Sequence, residues 1–288
     1  LLSMPRSAQQ LEELKRKLKE CTRGVWKDID QPSDETGCLY HYTDGKGLLG
    51  ILANKTLWAS DPLSLNDASE FEYALEVVRK VLNKTGDRLG LGNVFGNLAG
   101  WRQLGQRFFV ACFSRDGDKL SQWRAYADKG RGYAIGFGPQ ELLAEAASHD
   151  YALIGLVYDR ARQEEQIEKV LDYAAQLVQG QSLTQAFQIE VGMRLLYSMV
   201  HLKHPAFEEE NERRTLTMEP PRHKIRQRVG GSRIIPYIEV PFVSVAVKCV
   251  VIGPCITAKD AENWVRNYLD QSGFSHVVID RSKIPLRG

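Results

Sequence analysis

Leu11, Leu14, Leu18 and Cys21 recur at helical spacing over residues 8–22, with charged residues between them. The same period returns over 67–84, where Phe71, Leu75, Val78 and Leu82 share a face. Between these helices the pattern changes. "CLYHYT" (38–43) and "TLWAS" (56–60) read as strands, and "DGKGLLGILANK" (44–55) as a short helix with Asp44 at its start. "RFFVACFS" (107–114) is dense in aromatic and apolar residues and predicts a strong strand. "SQWRAYAD" (121–128) predicts a short helix or turn, "GYAIGF" a strand, and "GPQELLAEAAS" a helix with Pro139 in its first position. "ALIGLVYD" predicts another strand.

Helices over 161–179 and 183–203 follow, separated by Gly180 and closed by Pro205. The remainder is mostly β: "RRTLTM", "IIPYIEVPF" and "VAVKCVVIG", then a helix over 257–271 and the strand "HVVID". Pro32 and Gly37 mark a linker, and "TGDRLGLGNVFGNLAG" (85–100) a glycine-rich loop. Strands and helices alternate without a βαβ rhythm. That predicts an α+β fold with one curved, mainly antiparallel sheet. The expected organisation is an N-terminal helix and linker (1–36) and a single domain over 37–288, with the helices at about 161–204 inserted into it.

Composition adds little to this outline. Hydrophobic residues make up 43% and charged residues 26%, ordinary for a globular chain. A net charge of +2 gives no bulk argument for nucleic acid or membrane. The most apolar run, "VSVAVKCVVIG", is interrupted by Lys248 and is too short to cross a bilayer. The N-terminus lacks an apolar signal core. Five cysteines without a CxxC pair read as free thiols, which leads to the expectation of a reducing, cytoplasmic location.

No GxxxxGK[ST], HExxH or GxSxG is present, and "GLGNVFG" lacks dinucleotide-fingerprint spacing. His201 and His204 stand at i and i+3, and no further metal ligand accompanies them. Asn66, Asp67 and Glu70 cluster. Asp67 with Glu70 suits a capping box, and the same helix start also suits an anion. Glu208, Glu210 and Glu212 alternate before Arg214, either as a solvated strand or as a Glu-x-Glu pair steadying a cation. Trp123 and Tyr126, three apart, form a core pair or a wall for a flat ring. Arg222, His223, Lys224, Arg226, Arg228 and Arg233 surround a Gly230-Gly231 turn, as an exposed hairpin or a contact strip for phosphates.

Three of these blocks together resemble the His-Tyr-Glu branch of the ADP-ribosyltransferase fold. "LYHYTDGKGLLGILANKTLWAS" resembles its opening strand–helix–strand, and "VACFSRDGDKLSQWRAY" its second block. Glu210-x-Glu212 falls where the third block's glutamate belongs. Over residues 39 to the end the chain more closely resembles the bacterial DUF2971 proteins. The matching pieces are "HYT", "LWASDPLSLNDASEFE", "CFSRDGDKLSQWRAYADKGRGYAIGF", "HPAFEEENERR", "IIPYIEVPF" and "SKIPLRG".

The resemblance implies a curved split β-sandwich and an enzyme that uses NAD as substrate. It would cleave the nicotinamide–ribose bond and pass ADP-ribose to a macromolecular acceptor, protein or nucleic acid, as a toxin or defence effector would. His41 would bond the adenosine ribose, and Thr43 or the backbone beside it the nicotinamide amide. Phe113, with Tyr126 or Trp123, would stack on the nicotinamide ring. Glu212, or else Glu210, would stabilise the oxocarbenium-like state. Tyr42, Trp58, Ser60, Asn66, Ser114 and Arg214 complete the implied NAD site. His41 is expected to face Glu210 and Glu212 across one cleft. Two departures stand out: Tyr42 occupies the usual glycine position, and the stacking tyrosine falls at Cys112 or Phe113. A glycohydrolase without acceptor, and an inactive nucleotide- or nucleic-acid-binding module reading through Arg222–Arg233, are the alternatives.

Overall fold

The structure is a computed structural model. It describes residues 8–31, 37–62, 68–86, 89–91, 108–149, 151–178, 184–230 and 233–286. In chain order the helices are α1 (Ala8–Asp30), α2 (Gly45–Asn54), α3 (Ala68–Thr85), α4 (Leu120–Tyr126), α5 (Pro139–Ser148), α6 (Arg160–Val178), α7 (Gln185–Met199) and α8 (Ala261–Gln271). The strands are β1 (Leu39–Thr43), β2 (Thr56–Ser60), β3 (Phe108–Ser114), β4 (Tyr133–Phe137), β5 (Tyr151–Gly155), β6 (Glu212–Met218), β7 (Arg226–Gly230), β8 (Arg233–Pro241), β9 (Val247–Ile252) and β10 (Val278–Arg281). The fold is thus mixed α+β with a mostly antiparallel open sheet, in line with the expected class. Most of the glycine-rich loop over 85–100 lies outside the described residues, as do Asn66 and Asp67.

The chain divides into two compact units, one from segments 1–33, 61–107 and 155–208, the other from 34–60, 108–154 and 209–288. The first contains α1, α3, α6 and α7. Helix α1 runs well past the expected residue 22, because Trp26 and Ile29 continue the buried stripe of Leu18 and Thr22 while Gly24 faces solvent. The Trp26 indole stacks on His201 at 4.3 Å and donates to Ser198 Oγ at 3.0 Å. Both His201 ring nitrogens are engaged, Nδ1 with the Tyr197 carbonyl at 2.9 Å and Nε2 with Asp30 Oδ1 at 3.1 Å. His201 is therefore a packed core residue with neither nitrogen directed at a ligand. Residues 191–199 of α7 are buried on every side, so this helix forms the unit's centre.

The second unit is built on the sheet. Its strand order is β10-β9-β4-β1-β3-β2-β8-β7, with β6 pairing β3 and β5. Along the path from β10 to β7, and between β3 and β6, β9 and β10 form the one parallel pair among the described residues. Strand β3 pairs with β6 along its whole length, from Phe108↔Met218 to Ser114↔Glu212. Its other edge is shared: β1 meets it at Ser114 and β2 at Val110. The sheet therefore forks beside residues 111–113.

One face of the sheet carries Leu39, Leu57, Phe109, Phe113, Ile135 and Val250 against Leu48 and Leu52 of α2, Leu142 of α5 and Leu269 of α8. Helix α2 begins as its sequence dictates, with Asp44 accepting from the Gly47 amide at 2.7 Å. A Cβ at Gly47 would collide with Thr43 Oγ1, so the glycine lets β1 run directly into this helix. The opposite face has a smaller cluster of Tyr42, Trp123, Ala127, Ala134 and Val251.

Candidate functional site

The three sequence blocks meet at the Ser114 end of β3. Tyr40 pairs with Ser114, and Ser114 with Glu212. Paired residues point to the same side of a sheet, and their chain neighbours to the other. Tyr40, Ser114 and Glu212 therefore share one side, and His41, Phe113 and Arg213 the other. The expectation that His41 faces Glu212 across one cleft does not hold: the two are an odd number of register positions apart.

His41 is partly buried, and its Nδ1 lies 2.9 Å from the Cys112 carbonyl, at the fork. A carbonyl only accepts, so Nδ1 carries the hydrogen. Burial holds the imidazole below its ordinary pKa, opposed in part by this hydrogen bond. The neutral ring then presents Nε2 as an acceptor. A depressed pKa also sets an acid sensitivity. The unfolded chain binds a proton near pH 6.5 that the folded ring resists, so His41 adds no penalty above that pH and a growing one below it. Urea denaturation below pH 6.5 is expected to show His41→Gln with a shallower loss of stability than wild type, by at most about 1.4 kcal/mol per pH unit. Identical slopes would contradict the assignment.

Glu212 and Arg214 form a buried, two-pronged ion pair, with exposures of 7% and 6%. Arg214 Nε donates to Oε1 at 2.6 Å and Nη2 to Oε2 at 3.2 Å. They stand two residues apart on β6, hence on one side, next to Ser114 and Cys112. Glu210 lies at the end of a 3-10 turn (Pro205–Glu210) and is partly buried. Ser114 Oγ donates to its carbonyl at 2.8 Å and accepts from the Asp116 amide at 3.1 Å. Asn211, between the two glutamates, has a φ of +45°, which turns the chain into β6 and breaks the Glu-x-Glu alternation expected of a continuous strand.

The aromatic residues divide. Phe113 is 2% exposed and lies in the core, edge-to-face with Phe137 at 5.8 Å and with the His41 ring at 6.0 Å. Trp123 is fully buried, donates to Asp118 Oδ1 at 2.8 Å and meets Tyr42 edge-to-face at 4.9 Å. The Tyr42 hydroxyl donates to the Asp116 carbonyl at 2.6 Å and accepts from the Lys119 amide at 3.2 Å. Its burial raises the phenol pKa well above the ordinary value. Tyr42 thus braces the loop after β3. Tyr126 is 53% exposed, so the pair expected from its spacing with Trp123 is split between surface and core. Thr43 lies against Gly47, and Ser60 Oγ accepts from Arg228 at 3.1 Å. Trp58 is 49% exposed. Glu70, in the other unit, pairs with buried Lys203 at 3.0 Å.

Two further features have no motif in the sequence to announce them. Cys38 lies close to Cys249. A hydrogen bond from that thiol, with Lys248 nearby, lowers the Cys38 pKa to about 7. The five cysteines are all free, as expected. The other feature is a groove between α1 and α6, bordered by Cys21, Arg162, Lys169 and Tyr173, which holds none of the expected site residues. Among the described residues no cluster suits a metal ion, and no helix is long and apolar enough to cross a membrane.

Fold and site together define an α+β protein whose polar residues gather around a forked strand. The family model "Protein of unknown function (DUF2971)" matches residues 122–215, in agreement with the DUF2971 resemblance. That stretch contains Trp123, Tyr126, Glu210, Glu212 and Arg214. No curated protein and no solved structure matches the chain.

Proposed function

We propose that the protein is an ADP-ribosyltransferase-like enzyme that breaks the nicotinamide–ribose bond of NAD at the Ser114 end of β3. One observation supports this reading above the others: the three blocks, far apart in sequence, occupy the adjacent strands β1, β3 and β6 and meet within a residue of Ser114. The neutral His41 offers Nε2 to a ribose hydroxyl. NAD carries its two riboses at opposite ends of a pyrophosphate, so His41 and the carboxylate engage different sugars and need not share a side of the sheet. Nicotinamide is a cation while bound to the ribose and leaves neutral with the bonding electron pair. The chemistry asks for a carboxylate near the developing charge more than for an acid. Glu212, whose two oxygens bond Arg214, or else Glu210 two residues before it, is the carboxylate for that task. An acceptor nucleophile, or water, then adds to the ribose carbon and loses its proton. Phe113, Trp123 and Tyr42 are too buried to stack on the nicotinamide; Tyr126 is the exposed ring of the set.

The test is nicotinamide release from NAD by the full chain. Glu212→Gln or Glu210→Gln, whichever removes that carboxylate, is expected to lower kcat by about 100-fold or more in protein shown to be folded. A folded wild-type protein that releases no nicotinamide, with water or with protein and nucleic-acid acceptors, would sink the proposal.

A further inference from the structure

We propose that the Trp58-bearing side of β2, β8 and β7 binds single-stranded nucleic acid. The register places Trp58, Tyr237, Arg226, Arg228 and Arg233 on that side: Trp58 pairs with Glu239, Tyr237 with Ser60 and Arg226, and Ile235 with Arg228. Trp58 leans on Tyr237 with ring centroids 4.6 Å apart, yet half of it stays in solvent. A broad indole supported from below and open above is a platform on which any base can stack.

The cations stand beside this platform. Residues 222–233 contain five Arg and Lys and no Asp or Glu, so the rest of the chain, drawn from 38 basic and 36 acidic residues, is net acidic. A nearly neutral total conceals this strip. Arg226 is exposed and shares its charge with Glu239 at 2.9 Å. Arg228 is partly buried, and its one side-chain bond is the neutral Ser60 hydroxyl at 3.1 Å; its Nε is without a partner among the described residues. Burial lowers its pKa, the sign of a guanidinium short of counter-charge. A phosphate would supply that charge. Arg222, Lys224 and Arg233 are exposed and extend the strip for a second and third phosphate. An acidic peptide would satisfy the arginines and leave the indole unused. A duplex would hide its bases from it. A single strand uses both.

The inference is independent of NAD cleavage, and its test contains no NAD. The full chain is titrated against labelled oligothymidylate and oligouridylate of about 16 nucleotides, and against a duplex of equal length. Saturable binding to one or both single strands is expected, weakening with salt. Arg222→Gln, Lys224→Gln and Arg233→Gln, together or singly, are expected to flatten the log–log salt dependence by about 0.7 for each phosphate that is no longer neutralised. Trp58→Ala is expected to weaken single-strand binding about tenfold or more. The glutamine variants change exposed side chains, so their melting temperature stays at the wild-type level. No binding by the folded protein at low salt would overturn the proposal. So would wild-type affinity in the glutamine and Trp58 variants, or equal affinity for the duplex.

Discussion

Glu212→Ala is expected to destabilise the second unit by about 3–5 kcal/mol, because it removes a carboxylate that bonds the buried Arg214 guanidinium twice. Arg214→Ala should cost a similar amount by taking the guanidinium away from the buried Glu212 carboxylate. The pair itself contributes far less than either substitution suggests, since desolvating both charges offsets most of their attraction. The double variant should therefore be less destabilised than the two single variants combined, with a coupling of at least about 1 kcal/mol. Urea denaturation of the four proteins measures this directly. Additive effects of under about 1 kcal/mol each would show that the pair is a surface-like contact. The same result governs how Glu212 variants are used in activity assays: alanine and glutamine both remove the charge beside Arg214, so activity is read together with measured stability.

Phe113→Ala is expected to cost about 3–5 kcal/mol, the scale for emptying a large aromatic site in a packed core. Phe113 is 2% exposed and joins a chain of edge-to-face contacts running through Phe137 to Phe242. Phe113→Leu, closer in volume, should cost less than about 1.5 kcal/mol and, on the proposed NAD-cleaving activity, leave KM unchanged. A raised KM in a stable Phe113→Leu protein would instead make this ring a wall of the ligand site. Sequence pattern alone does not separate these roles, because an aromatic residue near a strand end suits both.

Local physics makes much of the fold legible. Alternation and apolar density mark β1, β2, β3, β4, β8 and β9 within a residue or two. Asp44 and Pro139 announce the starts of α2 and α5. The end of α1 is hidden, because Gly24 looks like a helix end unless one knows that Trp26 and Ile29 remain buried beyond it. Strand β7 reads only as a basic run, since its exposed residues carry no hydrophobic alternation and its pairing with β8 supplies the order.

The site is legible as a set of residue types and as an order of blocks; its geometry is not. That His41, Ser114 and Glu212 lie on neighbouring strands follows from pairings across 71 residues and more, and no local pattern encodes those. Side-chain direction is stricter still, because one register step reverses it. Sequence by itself determined most of the elements, the absence of familiar catalytic motifs and the cluster of charge at 222–233. Tertiary structure alone decided that Glu212 is spoken for by Arg214, that Phe113 and Trp123 belong to cores, and that His41 turns to the other side of the sheet. These are consequences of register and burial, properties of strands brought together.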